Sequence, residues 1–381
     1  MRSQSHVAVV GAGSFGGWTA LYLLRRGARV TLLDAWGPGN ERSSSGGDTR
    51  VMRGTYGTAQ PYTEMAARAM ELWKEHERQW KCSLFHPTGV LWMVTADDDQ
   101  FERESLARLR EAGIRFEELS AAGMARRWPQ INFEDARWGI LEPDSGFLFA
   151  RAACQTVVDR FVAEGGEYKK AAVVCGRAEP EYGLGLTLAD NLRVMADQYV
   201  FACGPWLGKL FPETIGNIVR PTKQDLFLFG PPAGDDRFLE ARLPVWADHG
   251  DRFIYGIPAG DGRGFKIGDD TRGPEFDPTS GERAASPETL ELIREYLGFR
   301  FPAMKGAPLV ETQVCQYENT PDSHFIIDRH PQAQNVWIVG GGSGHGFKHG
   351  PAIGEMVARL IMSEESAAPV FSLDRFVEKQ D

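Results

Sequence analysis

An α/β fold of two interleaved domains is predicted by three observations. A glycine fingerprint in a strand–turn–helix–strand context occupies Val7 to Asp34. Elements of the same kind return near 195–205 and again near 336–362. The stretches between them are rich in short strands, glycines and aromatics. A contiguous Rossmann-type domain would not need the last return. The chain therefore weaves twice out of the nucleotide-binding domain into a second, sheet-rich α+β domain that handles substrate. The expected segments are 1–82, 147–217 and 306–381 for the first domain, and 83–146 and 218–305 for the second.

Each element has a local reason. Val7 to Val10 is a short apolar, β-branched run, which reads as a buried strand. Gly11-Ala12-Gly13-Ser14-Phe15-Gly16 follows at once, then a helical pattern carries Ala20, Leu21, Leu23 and Leu24. A second apolar run, Val30 to Leu33, ends on Asp34. The glycines allow a tight turn and close approach of backbone to a pyrophosphate seated on the helix N-terminus. Asp34, 23 positions after Gly11, is placed to accept hydrogen bonds from ribose hydroxyls. The polar loop from Ala35 to Gly57, with its pair Gly46-Gly47, has the length of a functional loop lying against a ligand. Tyr62 to Gln79 has helical spacing, and Phe85 to Thr95 reads as a hairpin turning near Pro87-Thr88-Gly89. Asp97 to Ala112 reads as a helix closed by Gly113, and Ser120 as the cap of a short one. Gly139 to Gly146 is a turn-rich return, and Ala150 to Glu164 is a helix ended by Gly165-Gly166. Strands are expected at Val194–Ala202, Val219–Phe229, Phe253–Ile257, Gly264–Gly268, Ser323–Ile327 and Val336–Val339. Helices are expected at Pro287–Phe299 and from about Pro351 to Met362.

The 381 residues, 42% hydrophobic, are enough for a large core and more than one domain. A net charge of −10 with no Lys/Arg block argues against nucleic acid as a partner, since phosphate contacts need clustered positive charge. No apolar run reaches the roughly 18 residues needed to span a bilayer, so no membrane is expected. MRSQSH leads straight into the first strand, leaving no room for a signal peptide. The cysteines at 82, 154, 175, 203 and 315 are scattered and odd in number, which disfavours a disulfide framework and makes the cytoplasm the expected location. The C-terminal EKQD matches no targeting tail.

Three stretches together carry a family resemblance. They are VGAGSFGGWTALYLLRRGARVTLLD, the loop SSSGGDTRVMRGTYG, and the segment from Cys315 through Tyr317 (CQYENTPDSHFIID) leading to Gly342-Ser343-Gly344-His345-Gly346-Phe347-Lys348. Over essentially its whole length the chain resembles the monomeric sarcosine oxidase family. That family belongs to the D-amino-acid-oxidase-like, FAD-dependent amine oxidases, which include N-methyltryptophan and pipecolate oxidase relatives. The resemblance implies FAD bound covalently by a thioether from Cys315 to the flavin 8α-methyl. It further implies a secondary amino acid as substrate, O2 as acceptor, H2O2 as product, and a monomer. It puts the substrate-carboxylate clamp on Arg53 and Lys348 and a basic residue near flavin N5 on Lys266. Tyr255 and Tyr317 fall on active-site tyrosines, and Thr49 and Arg50 on flavin-side positions. Two positions depart from the pattern. The family's sarcosine oxidases carry paired histidines where this chain reads Ser45-Gly46, and a histidine where it has Asp270.

These residue types suit that chemistry. Removal of a hydride equivalent from the carbon beside an amine leaves the protein to hold that carbon against the flavin and tune the ring. A small amino acid offers its carboxylate as a handle, which arginine grips bidentately and lysine as a point charge. Lys266, between glycines in an apolar strand, would stabilise charge developing on reduced oxygen, a role that the resemblance favours over an outward lysine on an edge strand. Spacing alone gives Cys315 no preference over Cys203; its flanking YENTPDSHFIID decides. Around His345, Gly342, Gly344 and Gly346 let backbone approach a planar ring, with the next helix aimed at negative charge on it. His345 and His349, four apart, have no carboxylate or cysteine beside them, so no metal is expected.

The expected function is oxidation of an N-methyl or N-substituted α-amino acid, with the imine product hydrolysed. Three alternatives remain. The substrate is instead a cyclic imino acid or an N-glycated amino acid, or the enzyme is a dehydrogenase that avoids O2. The protein is a non-catalytic flavoprotein. Or it is a plain NAD(P)-dependent dehydrogenase.

Overall fold

The computed structural model describes residues 4–174, 185–260, 262–363 and 367–377; Cys175, the EKQD tail and the first three residues lie outside these. Among the described residues, His6–Val10 lies inside a six-stranded sheet. The order is Ile326–His330, Ala333–Gly340, Gln198–Phe201, His6–Val10, Arg29–Asp34 and Glu167–Lys170. Neighbours run parallel except at one edge, where Ile326–His330 and Ala333–Gly340 are antiparallel. Inner parallel strands are covered on both faces, which is why Val7–Val10 reads as an unbroken apolar run.

The helices Ser14–Arg25 and Gly350–Ser363 pack together, bringing the two ends of the chain side by side. They approach closely because Gly354 has no side chain: a Cβ there would lie 2.6 Å from the Trp18 carbonyl carbon. Trp18 in turn meets Trp73 of helix Gln60–Trp80 edge-on, with ring centroids 5.1 Å apart.

A second sheet has eight strands among the described residues. Its order is Leu309–Asn319, Arg220–Phe229, Phe265–Asp269, Phe253–Ile257, Val245–His249, Val90–Val94, Trp138–Glu142 and Glu117–Ser120. Phe265 and Ile267 enter an aromatic core with Trp246, Phe301 and helix Pro287–Arg300. By the period of two, Lys266 and Gly268 emerge on the opposite face, where Tyr255 pairs with Gly268. That face turns toward the nucleotide-binding half. A small sheet of Thr49–Met52, Gly146–Phe149 and Phe85–His86 lies between.

Several expectations change. Phe85 to Thr95 is not a hairpin. Phe85–His86 pairs with Gly146–Phe149, while Val90–Val94 pairs with Trp138–Glu142 and Val245–His249. Gly89, at φ +83°, turns the chain from one sheet to the other. The strand expected at Val194–Ala202 is two, Arg193–Met195 and Gln198–Phe201, in different sheets. The turn-rich return contains the buried strand Trp138–Glu142, and the long loop contains Thr49–Met52. Leu309–Asn319, which carries Cys315 and Tyr317, pairs along its length with Arg220–Phe229.

Candidate active site

The glycine turn ends the first strand as expected. Gly11 has φ +104°, and a Cβ there would lie 2.2 Å from the Ala202 carbonyl oxygen, so only glycine lets the two strand ends converge. Gly13 caps the helix without a side chain, and Gly16 packs against Gly11. The Ser14 amide donates to Ser45 Oγ, and its hydroxyl to the Phe347 carbonyl at 2.8 Å. Phe15 packs edge-on against Phe325 and lies beside Gly346. Asp34 does more than the sequence indicates. Its Oδ2 accepts from the Ala12 amide at 2.8 Å, and its Oδ1 from the amides of Trp36 and Gly37 at 2.9 and 2.7 Å. The carboxylate thus fixes the glycine turn and keeps one acceptor site for a ribose hydroxyl.

From this turn a cavity of about 260 Å³ runs past Asp34, Ser45 and Gly342 to Arg50, Cys315, Tyr317 and Gly344. The Arg50 guanidinium lies 3.2 Å from Cys315 Sγ and is held by the carbonyls of Thr49 and Ser44. Gly344, at φ +82°, presses on Tyr317: a Cβ there would lie 2.6 Å from the ring. Glu318 also lines this cavity. It is 7% exposed, accepts from the Gly342 amide, and has Oε2 without a hydrogen-bond partner among the described residues. Burial pushes its carboxyl up to about 7.

A second, smaller cavity of about 70 Å³ shares Arg50, Cys315, Tyr317 and Gly344 with the first and adds Arg53, Tyr255, Asp270, His345 and Lys348. Arg53 donates to the Thr55 carbonyl and lies over the rings of Tyr56 and Trp92, 4.5 and 4.9 Å from their centroids. Lys348 Nζ, on a residue 5% exposed, donates to the Tyr56 hydroxyl at 2.7 Å and the His345 carbonyl at 2.9 Å. Burial, and then Arg53, lowers the Lys348 ammonium pKa well below its ordinary value. Burial and Lys348 bring His345 down to about 3, so its imidazole is neutral. Tyr317 donates to Asp270 Oδ1, and Tyr255 hydrogen-bonds to Tyr317. Burial pushes the Asp270 carboxyl up to about 6, against the downward pull of Tyr317, Arg53 and Lys348.

Lys266 stands apart from this group. At 4% exposure it donates to the Thr49 carbonyl at 2.9 Å and lines a neighbouring cavity with Asp48 and Gly264. Thr49 separates it from Arg53 and Lys348: it borders both the second cavity and this neighbouring one. Sequence reasoning missed Glu318, Tyr56, Trp92 and Glu142. The available signals were the acid directly after Tyr317 and the acid ending the apolar run WGILE.

A match to the family of FAD dependent oxidoreductases abbreviated DAO spans residues 6–360. The chain belongs to the DAO family. Monomeric sarcosine oxidase from Bacillus sp. (strain NS-129) is 31% identical, over all of this chain and 99% of that one. N-methyl-L-tryptophan oxidase from Citrobacter koseri is 29% identical, over 97% and 98% of the two chains. Among solved structures, L-proline dehydrogenase from P. horikoshii superposes with a TM-score of 0.83 at 22% identity, covering 99% and 98% of the chains. A fructosyl peptide oxidase does so at 0.82 and 21%, covering 98% and 94%. These two likenesses show a shared fold.

The residues present fit the DAO family's cofactor. The glycine cradle suits a pyrophosphate, the orphaned Glu318 Oε2 suits a hydroxyl donor, and the Cys315 thiol lines both cavities. No helix among the described residues is long and apolar enough to cross a membrane.

Proposed function

We propose that the protein oxidises an N-methyl or otherwise N-substituted α-amino acid with FAD joined to Cys315 and O2 as the final acceptor, acting as a monomer. One observation carries the reading. Arg53 and Lys348, from opposite ends of the chain, line one small cavity that shares Cys315 and Tyr317 as lining with the nucleotide cavity. The names of the sarcosine and N-methyltryptophan oxidases, similar along their whole lengths, support the substrate class.

Bound FAD supplies the acceptor for a hydride equivalent from the carbon next to nitrogen. The protein's own groups do the rest. Arg53, fixed over Tyr56 and Trp92, presents a fork to the substrate carboxylate. Lys348 completes the grip as a point charge, and an entering carboxylate would raise its ammonium pKa from the lowered value that burial and Arg53 give it. Leu226 and Phe253 give apolar walls for the N-substituent and exclude water. Tyr255 and Tyr317 order the far wall. Lys266, through Thr49, holds positive charge behind the cofactor side of the site.

Anaerobic mixing with sarcosine and N-methyl-L-tryptophan tests the reading. Flavin absorbance is expected to bleach, and in air H2O2 is expected in step with amine consumed. Acid precipitation is expected to leave the yellow colour in the pellet, and Cys315→Ala to move it to the supernatant. Arg53→Ala and Lys348→Ala are each expected to raise KM by at least about tenfold with flavin content retained. Flavin that no amine reduces would overturn the proposal.

A further inference from the structure

The small cavity holds an anion as well as its two cations, and the three are held apart. Arg53 and Lys348 are both tied to Tyr56, one by its ring and the other by its hydroxyl. Asp270 is tied to Tyr317, which comes from a different strand. Among the described residues Asp270 forms no ion pair with either cation, and only its Oδ1 has a hydrogen-bond partner. The carboxylate nonetheless lines the same cavity as both.

An α-amino acid at neutral pH carries its ammonium one carbon away from its carboxylate. A cavity with paired cations at one place and a lone carboxylate at another matches that dipole. A site built for the carboxylate alone would place no anion there, because burying an uncompensated carboxylate is costly. The raised pKa of Asp270 follows from burial that Tyr317, Arg53 and Lys348 offset only in part. A cation on the ligand would supply the remainder.

We propose that Asp270 receives the substrate's ammonium group, so that the cavity selects amino acids carrying positive charge on nitrogen. The inference rests on the reading of this cavity as the amino-acid site. It makes Asp270 a specificity-determining residue and assigns acids without a charged nitrogen to the rejected class. The competing role, in which Asp270 serves only to order the Tyr317 and Tyr255 hydroxyls, predicts no such selection.

Two ligands of one shape separate these roles. Trimethylglycine and 3,3-dimethylbutanoate have the same carboxylate and the same bulk, and differ in nitrogen cation against neutral carbon. Dissociation constants for the flavin-loaded protein are read from the perturbed flavin absorbance at pH 8, where Asp270 is ionised, without turnover. The wild type is expected to bind trimethylglycine at least about tenfold more tightly. Asp270→Asn is expected to abolish the preference while holding 3,3-dimethylbutanoate within about twofold, and Asp270→Glu to retain part of it. Equal affinity in the wild type, failure of both ligands to bind, or a preference that survives in Asp270→Asn would overturn the proposal. The wild-type comparison needs no variant to fold. Amine-driven bleaching without a preference between the isosteres would defeat this inference and leave the oxidase reading intact.

Discussion

Glu318 is a carboxyl group whose protonation the fold controls. Burial raises its pKa from the ordinary 4.5 to about 7, so the folded chain holds this proton more tightly than the unfolded one. A group shifted upward stabilises the fold most below its unfolded pKa, and that contribution is lost as pH rises through the folded value. Flavin-free protein, made by expression without riboflavin, should therefore lose about 2–3 kcal/mol between pH 5 and 8 that Glu318→Gln keeps. Urea midpoints of both proteins across that range check it. Equal slopes would mean that Oε2 has a partner in solution. Asp270 acts in the same direction over a lower window, from its ordinary 3.8 to about 6. Sequence alone named Asp270 as a departure from a family pattern, but neither acid's burial was visible there.

Among the elements, the loop after Thr49–Met52 matters most because it carries Arg53. It is pinned by Glu142, the last residue of Trp138–Glu142. The Glu142 carboxylate accepts from the Gly54 amide at 2.8 Å, the Thr55 amide at 3.0 Å, the Thr55 hydroxyl at 2.6 Å and the Ser145 hydroxyl at 2.6 Å. Glu142→Gln turns an amide NH2 toward these donors. It should cost about 1–3 kcal/mol in stability and raise substrate KM more than it lowers kcat, with flavin content unchanged. A loss confined to kcat would show that Arg53 keeps its place without Glu142. Elements with an apolar period were legible in the sequence: His6–Val10, Phe253–Ile257 and Gly350–Ser363 stand close to where their patterns put them. Leu309–Asn319 was not, because Glu311, Thr312 and Gln313 make its exposed first half read as loop. The partners in the site were hidden for a similar reason. That Lys266 emerges opposite Phe265 follows from the period of two, but that it meets Thr49 depends on how two sheets face each other.

On the scale of the whole molecule, the two sheets are joined across the site itself. Lys266 bonds to Thr49, Arg50 to Cys315, and Gln313 to Asp48, each linking the eight-stranded sheet to the segment that follows the nucleotide turn. Loosening the second sheet should therefore open the cofactor cavity, even from a point distant from it. Arg300 provides that point. It is fully buried, and its guanidinium bonds to Asp248 at 2.6 Å and to Asp135 at 2.7 Å, tying helix Pro287–Arg300 to strand Val245–His249. Arg300→Met leaves Asp248 buried without its cation, at a cost of about 3–5 kcal/mol. The expected result is a lower midpoint at which far-UV circular dichroism and the rise in flavin fluorescence still change together. If the dichroism instead fell first while the flavin stayed quenched, the nucleotide half would be stable alone. The contacts through Thr49, Arg50 and Asp48 would then position the site without coupling its two sides.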